Sequence, residues 1–243
     1  MSTTLTIARR EFRSNFDSPL AYVVICLGLV LLGLFFFFMG GGFWQADRAS
    51  LAQLFVWAPR GISFLIVPVM TMRLIAEERR SGTLEMLITL PVKDHEVILG
   101  KFLGAWGLVV LLIASTAFYP IVMFWFPYHL GALDTGPLLS GYLGLLLYSA
   151  AAVSIGLLFS SLTESQVIAL FLTWAVLCVM QFIGLVEPSN PVARSVVAFI
   201  SFDTRLAPFA RGMINSRDII FFLSITVGCL MASFRALERR KWS

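Results

Sequence analysis

Charge is what this sequence has least of. Asp, Glu, Lys and Arg make up only 13% of its 243 residues, against about a quarter in soluble domains, while 58% are apolar and the mean hydropathy is +0.87. That balance excludes an ordinary soluble domain. Cys26, Cys178 and Cys229 each fall in a long apolar stretch, so they read as packing residues rather than a disulfide framework. His95 and His129 are far apart and have no partners at metal-ligand spacing, so no metal site is expected. The single Gly-Lys pair, Gly100-Lys101, is followed by Phe102, and no G-x-x-x-x-G-K-[ST] loop is present to cradle ATP. Ser and His residues form no recognisable nucleophile arrangement, so no catalytic residue and no directly bound cofactor is expected. Asp and Glu are missing from the middles of the apolar stretches. A proton- or sodium-driven carrier needs a titratable group there, so that class is disfavoured.

What the chain does have is length without charge. Residues 18–46, 61–72, 102–133, 135–163, 165–186 and 219–234 carry no Asp, Glu, Lys or Arg. Crossing about 30 Å of hydrocarbon takes roughly 20 helical residues at about 1.5 Å each. Four runs meet this easily. The last is short, but Asp218 and Arg235 can snorkel at its ends. The run at 61–72 works if its helix extends over 54–76, with Arg60 snorkelling outward and Arg73 inward. The expectation is an all-α, polytopic membrane protein, a single transmembrane domain over 1–243. Its spans lie near 20–43, 54–76, 102–126, 137–160, 166–186 and 218–235.

With both termini on one side, that side holds twelve Lys and Arg residues and the other six, which places the termini in the cytoplasm. The net charge of +4 is then a topological signal, and without an aromatic-interleaved basic patch no nucleic-acid partner is expected. Arg9-Arg10 before an apolar run resembles a twin-arginine export signal. That run exceeds 20 residues, lacks a small-x-small cleavage site and precedes five more spans, so a retained first helix is expected. Leu5, Ala8, Phe12 and Phe16 share one helical face, while Arg9, Arg10 and Arg13 occupy others, as in an interfacial helix lying on membrane lipids before Pro19 turns the chain inward. Residues 187–217 form the longest external connection. Val192, Val196, Phe199 and Ile200 have helical spacing there, and an amphipathic hairpin in the outer leaflet and a solvated loop both fit.

Charge returns in residues 72–103, which pack eleven ionisable side chains between two apolar runs. Arg73 and Glu77 stand at i,i+4, with Glu78, Arg79 and Arg80 extending the helix until Gly82 breaks it. Thr83 can cap a short helix whose Leu84, Leu87 and Ile88 share a face, with Glu85 among them, Leu90 at its end and Pro91 stopping it. Asp94 can cap the next helix. A helix of one to two turns is marginal in water, so it must dock. Either it folds back on its own bundle and headgroups, or it enters a groove of a soluble partner.

The stretch M-R-x-x-A-E-E-R-R-S-G-T-L-E-x-L-x-T-L-P-V, followed by G-K-F-L-G, resembles the ABC type-2 exporter permease family. The likeness is strongest to compact permeases associated with gliding motility and nitrous-oxide reductase maturation. Arg9-Arg10-Glu11-Phe12-Arg13, Ser18-Pro19-Leu20-Ala21-Tyr22 and the segment from Ser160 to Gln166 support it, and little of it extends past Glu187. The resemblance implies a six-span permease half in a bacterial inner membrane, paired with a second copy or a related permease and with two P-loop ATPase subunits that hold the ATP and Mg. It implies a coupling loop over 77–98, with Glu77, Glu78, Arg79, Arg80, Thr83, Leu84, Glu85, Leu87, Ile88 and Leu90 toward the ATPase. Thr163, Glu164 and Gln166 would make a second contact beside it. A mechanotransmitter working a periplasmic partner without moving substrate is the alternative. Gly100-x-x-x-Gly104 and Ala152-x-x-x-Gly156 permit close helix approach, within the chain or between two copies.

Overall fold

Long apolar stretches bounded by charge or proline become helices. The computed structural model describes residues 3–38, 51–82, 94–119, 121, 135–186 and 189–239, and every regular element among them is helical. Helix α1 (Thr3–Asp17) precedes α2 (Pro19–Phe38), the first span. The second span is built from α3 (Ala52–Gly61), a π-turn (Ile62–Ile66), α4 (Val67–Thr71) and α5 (Ala76–Arg80). Helices α6 (Asp94–Ser115), α7 (Thr135–Leu162) and α8 (Gln166–Phe182) follow as spans. Two short helices, α9 (Pro191–Ile200) and α10 (Phe202–Ala210), lead to the last span, α11 (Ser216–Arg239). Six helices are long and apolar enough to cross a membrane, as expected. They alternate in direction, so α1, the end of α5, the α7–α8 turn and the end of α11 share one end of the bundle. Helices α9 and α10 lie at the other.

Helix α7 is the centre, because its small residues let neighbours approach. An added Cβ would collide with Phe55 at Gly141, with Phe209 at Gly144 and with Thr71 at Gly156. Ala151 and Ala152 are fully buried between these contacts. The Ala152-x-x-x-Gly156 pattern therefore serves packing inside the chain. Tyr148 meets Phe202 and Phe222 edge to face, and all three rings are fully buried. Helices α8 and α11 are peripheral, with exposed apolar faces that include Phe171, Val179, Leu223 and Met231.

The second span is irregular for identifiable reasons. Pro68 lacks the N–H needed for a helical hydrogen bond, and a π-turn precedes it. Ser63, on that turn, is hydrogen-bonded to the Tyr148 hydroxyl, which also donates to the Pro59 carbonyl at 2.9 Å. Arg60 does not snorkel outward. It lies 4.8 Å from the Trp57 ring centroid and pairs with Asp203 at 3.3 Å, and Gln181 donates to the same carboxylate at 3.2 Å. Asp218 does not snorkel either. Arg205 meets it at 2.8 Å in a buried pair, stacked against Phe199 and Phe221. These two pairs fasten the α9–α10 hairpin to the bundle. Asn190 and Ser201 cap its helices, and Phe202, Leu206 and Phe209 sink into the core. Val192, Val196 and Phe199 remain exposed on α9.

Candidate functional site

The charged end of the bundle is organised by one lysine. Lys101, on the first turns of α6, is only 3% exposed yet ionised groups surround it. Its ammonium donates to Glu11 of α1 at 3.0 Å and to Glu78 of α5 at 2.6 Å. A buried ammonium without such partners would cost several kcal/mol, so the two carboxylates are what allow it there. The result ties α1, α5 and α6 together at a single point.

Glycines prepare that point. Gly100 faces Ile7, where an added Cβ would stand 2.6 Å from the Ile7 side chain, and Gly104 would meet Glu11 at the same distance. Gly107 admits the Phe12 ring. The Gly100-x-x-x-Gly104 pattern is thus a groove for α1 within the chain. Thr3 adds a 2.6 Å hydrogen bond to Glu96. The half-buried stripe on α1 runs through Thr4, Ile7, Ala8, Glu11, Phe12, Asn15 and Phe16, while Leu5 is exposed. The expected apolar face is therefore shifted toward Ile7 and Glu11, because a lysine has to be met as well as an apolar surface. Arg9, Arg10 and Arg13 are exposed, Arg10 at the edge of a cleft beside the second span.

Helix α5 is separated from α4 by a break over residues 72–75. The N–H groups of Ile75 and Ala76, freed by that break, donate to the Ser160 hydroxyl of α7 at 3.0 and 3.1 Å. Ser160 in turn donates to the Met72 carbonyl at 3.3 Å. One hydroxyl uses its donor and both acceptor positions to span the break. The Arg73–Glu77 ion pair expected from i,i+4 spacing is not among those of the described residues, although the Glu77 N–H donates to the Arg73 carbonyl at 3.4 Å. Arg73 instead donates to Ser18 at 3.4 Å. Beyond α5, the Ser81 hydroxyl donates to the Glu77 carbonyl at 2.9 Å and Gly82 adopts φ +69°, the left-handed turn that ends a helix.

A family model described as ABC-2 family transporter protein matches residues 50–224, more than two thirds of the chain. The chain belongs to the ABC-2 transporter family. No curated protein matches it. It is accordingly a multi-pass membrane permease subunit of an ABC transporter, and membership implies an ATPase partner.

In this permease, Glu77, Glu78, Arg79 and Arg80 lie on α5 at the charged end, Glu78 facing Lys101. Thr83, Leu84, Glu85, Leu87, Ile88 and Leu90 lie outside the described residues. The α7–α8 turn brings Thr163, Glu164 and Gln166 to the same end, with the Thr163 hydroxyl donating to the Phe159 carbonyl at 3.0 Å. Lys101, Glu11 and Ser160 were not among the sequence candidates. Gly100-Lys101 lay within the recognised motif, but only packing reveals that its lysine points inward. Of the cavities at this end, one of about 300 Å³ lies between α1 and the second span, with Lys101 in its wall.

Proposed function

We propose that this ABC-2 permease is half of an ATP-driven exporter, worked by a separate P-loop ATPase that docks on residues 77–90. The observation that carries the reading is the Glu11–Lys101–Glu78 tie, placed where the chain leaves α5 at Gly82. A push on the following segment reaches α1, α5 and α6 together, because moving one would expose a buried charge. ATP and Mg belong to the partner, and a second copy or a related permease completes the membrane part. The reading has the termini and this end in the cytoplasm of a bacterium, a side that the Lys and Arg excess supports. Within the family, the reading favours the gliding-motility and nitrous-oxide accessory branch, which the motif around residues 72–92 resembles.

The test is recovery of ATPase with the purified permease. Leu84→Asp with Leu87→Asp is expected to abolish co-purification of a P-loop ATPase while the thermal midpoint of the permease stays unchanged. Undiminished recovery with an intact fold would overturn the docking assignment. A second reading, mechanotransmission to a periplasmic partner, draws support from the filled middle of the bundle, where Tyr148, Phe202 and Phe222 leave no exposed surface. Reconstituted vesicles distinguish the two: ATP-dependent movement of a lipid or amphipath supports export, and turnover without movement supports mechanotransmission.

A further inference from the structure

We propose that the cleft between α1 and the second span binds the headgroup of a zwitterionic phospholipid, with its phosphate on Arg10 and Arg73 and its ammonium toward Glu77. The cavity holds about 300 Å³, at the lower end of the range of small-molecule sites. Its lining changes character in the way an amphiphile does. Arg10, Ser14, Asn15, Ser18, Arg73 and Glu77 supply charge, hydroxyl and amide groups on the polar side. Ala21, Val69, Met70 and Leu74, on the first two spans, supply the apolar side.

The charges left over define the ligand. Lys101 is paired with Glu11 and Glu78 within the wall. Arg10, Arg73 and Glu77 have no ion-pair partner among the described residues, and Arg73 makes only the 3.4 Å hydrogen bond to Ser18. Two guanidiniums beside Ser and Asn donors match a phosphodiester, whose oxygens accept several charge-assisted bonds at once. An unpaired carboxylate in the same cleft matches a primary ammonium. Counting all six charged residues, the cleft balances at zero, so a ligand carrying one charge of each sign leaves that balance intact. The cleft sits beside the first residues of α2 and opens next to α1, a helix with no fully buried residue. Headgroups occupy that level of a bilayer.

The experiment is native mass spectrometry of the full-length permease, delipidated in detergent and titrated with phosphatidylethanolamine, diacylglycerol and inorganic phosphate. The expected result is one retained phosphatidylethanolamine, with diacylglycerol not retained and millimolar inorganic phosphate unable to displace the phospholipid. Arg10→Gln with Arg73→Gln should weaken binding about tenfold or more, and Arg10→Lys with Arg73→Lys should keep most of it. Glu77→Gln should weaken phosphatidylethanolamine but leave phosphatidylglycerol unchanged. Retention of diacylglycerol equal to that of the phospholipid, or equal binding by the folded Arg-to-Gln double variant, would overturn the site. Displacement by inorganic phosphate would assign the cleft to a soluble anion and overturn the lipid. Should the variants fail to fold, the ligand comparisons on the wild-type protein still decide.

Discussion

Lys101 is the residue whose removal should be felt most widely. It is 3% exposed, and Glu11 and Glu78, roughly a fifth exposed, turn their carboxylates onto it. Lys101→Met keeps most of the volume but leaves two carboxylates facing one another across the former ammonium. Breaking a buried pair by removing one partner costs about 3–5 kcal/mol, and the partial exposure of the carboxylates lets water recover some of that. The expected loss is about 2–3 kcal/mol, read as a lower thermal midpoint in detergent. A triple variant, Lys101→Met with Glu11→Gln and Glu78→Gln, should recover most of the midpoint without restoring the tie. If both variants recovered the same ATPase as the wild type, Lys101 would matter to stability alone.

At the scale of elements, the second span is the part made to bend. A π-turn, two prolines and the break at residues 72–75 divide it, and the Ser160 hydroxyl spans the break. Ser160→Ala leaves two N–H groups without an acceptor in a buried place, at a cost of about 1–3 kcal/mol. Hydrogen exchange should therefore accelerate at Ile75 and Ala76 while the amides of α7 keep their protection; unchanged exchange at 75 and 76 would mean that water or another acceptor replaces the hydroxyl. The sequence made the spans legible because a bilayer demands about 20 apolar residues wherever it is crossed. It made Gly82 legible as a break, since few residues other than glycine adopt its φ of +69°. It hid the partners of Arg60, Asp218 and Lys101. Snorkelling and ion pairing use the same residue types at the same span ends, and only three-dimensional neighbours choose between them. The two glycine patterns were equally mute about partners: close approach needs small residues whether the second helix belongs to this chain or another, and α1 and Thr71 turned out to fill them.

For the whole molecule, the alternation of six spans puts α1, the end of α5 and the end of α11 together and the α9–α10 hairpin opposite. That arrangement makes side of the membrane a single binary choice, because no described segment can change sides without reversing every other. The proposed choice, a cytoplasmic α5 end, rests on the excess of twelve Lys and Arg residues over six. Impermeant maleimide labelling checks it in a variant whose Cys26, Cys178 and Cys229 are replaced by Ala. Cysteines at Ser81 and Ser189, both exposed, serve as the two reporters. In intact cells stripped of their outer wall, Ser189→Cys should label and Ser81→Cys should not. In inside-out vesicles the pattern should reverse. Labelling of Ser81→Cys from outside would invert the topology and remove residues 77–90 from the reach of any cytoplasmic ATPase. Labelling of both positions from one side would break the alternation itself. The packing of α7 at both ends of the bundle argues against that second result, since Ser160 meets the α5 end while Ser140 donates to the Phe209 carbonyl of the hairpin at 2.7 Å. Those two contacts lie some twenty helical residues apart, or about 30 Å, the depth of the hydrocarbon they would have to span.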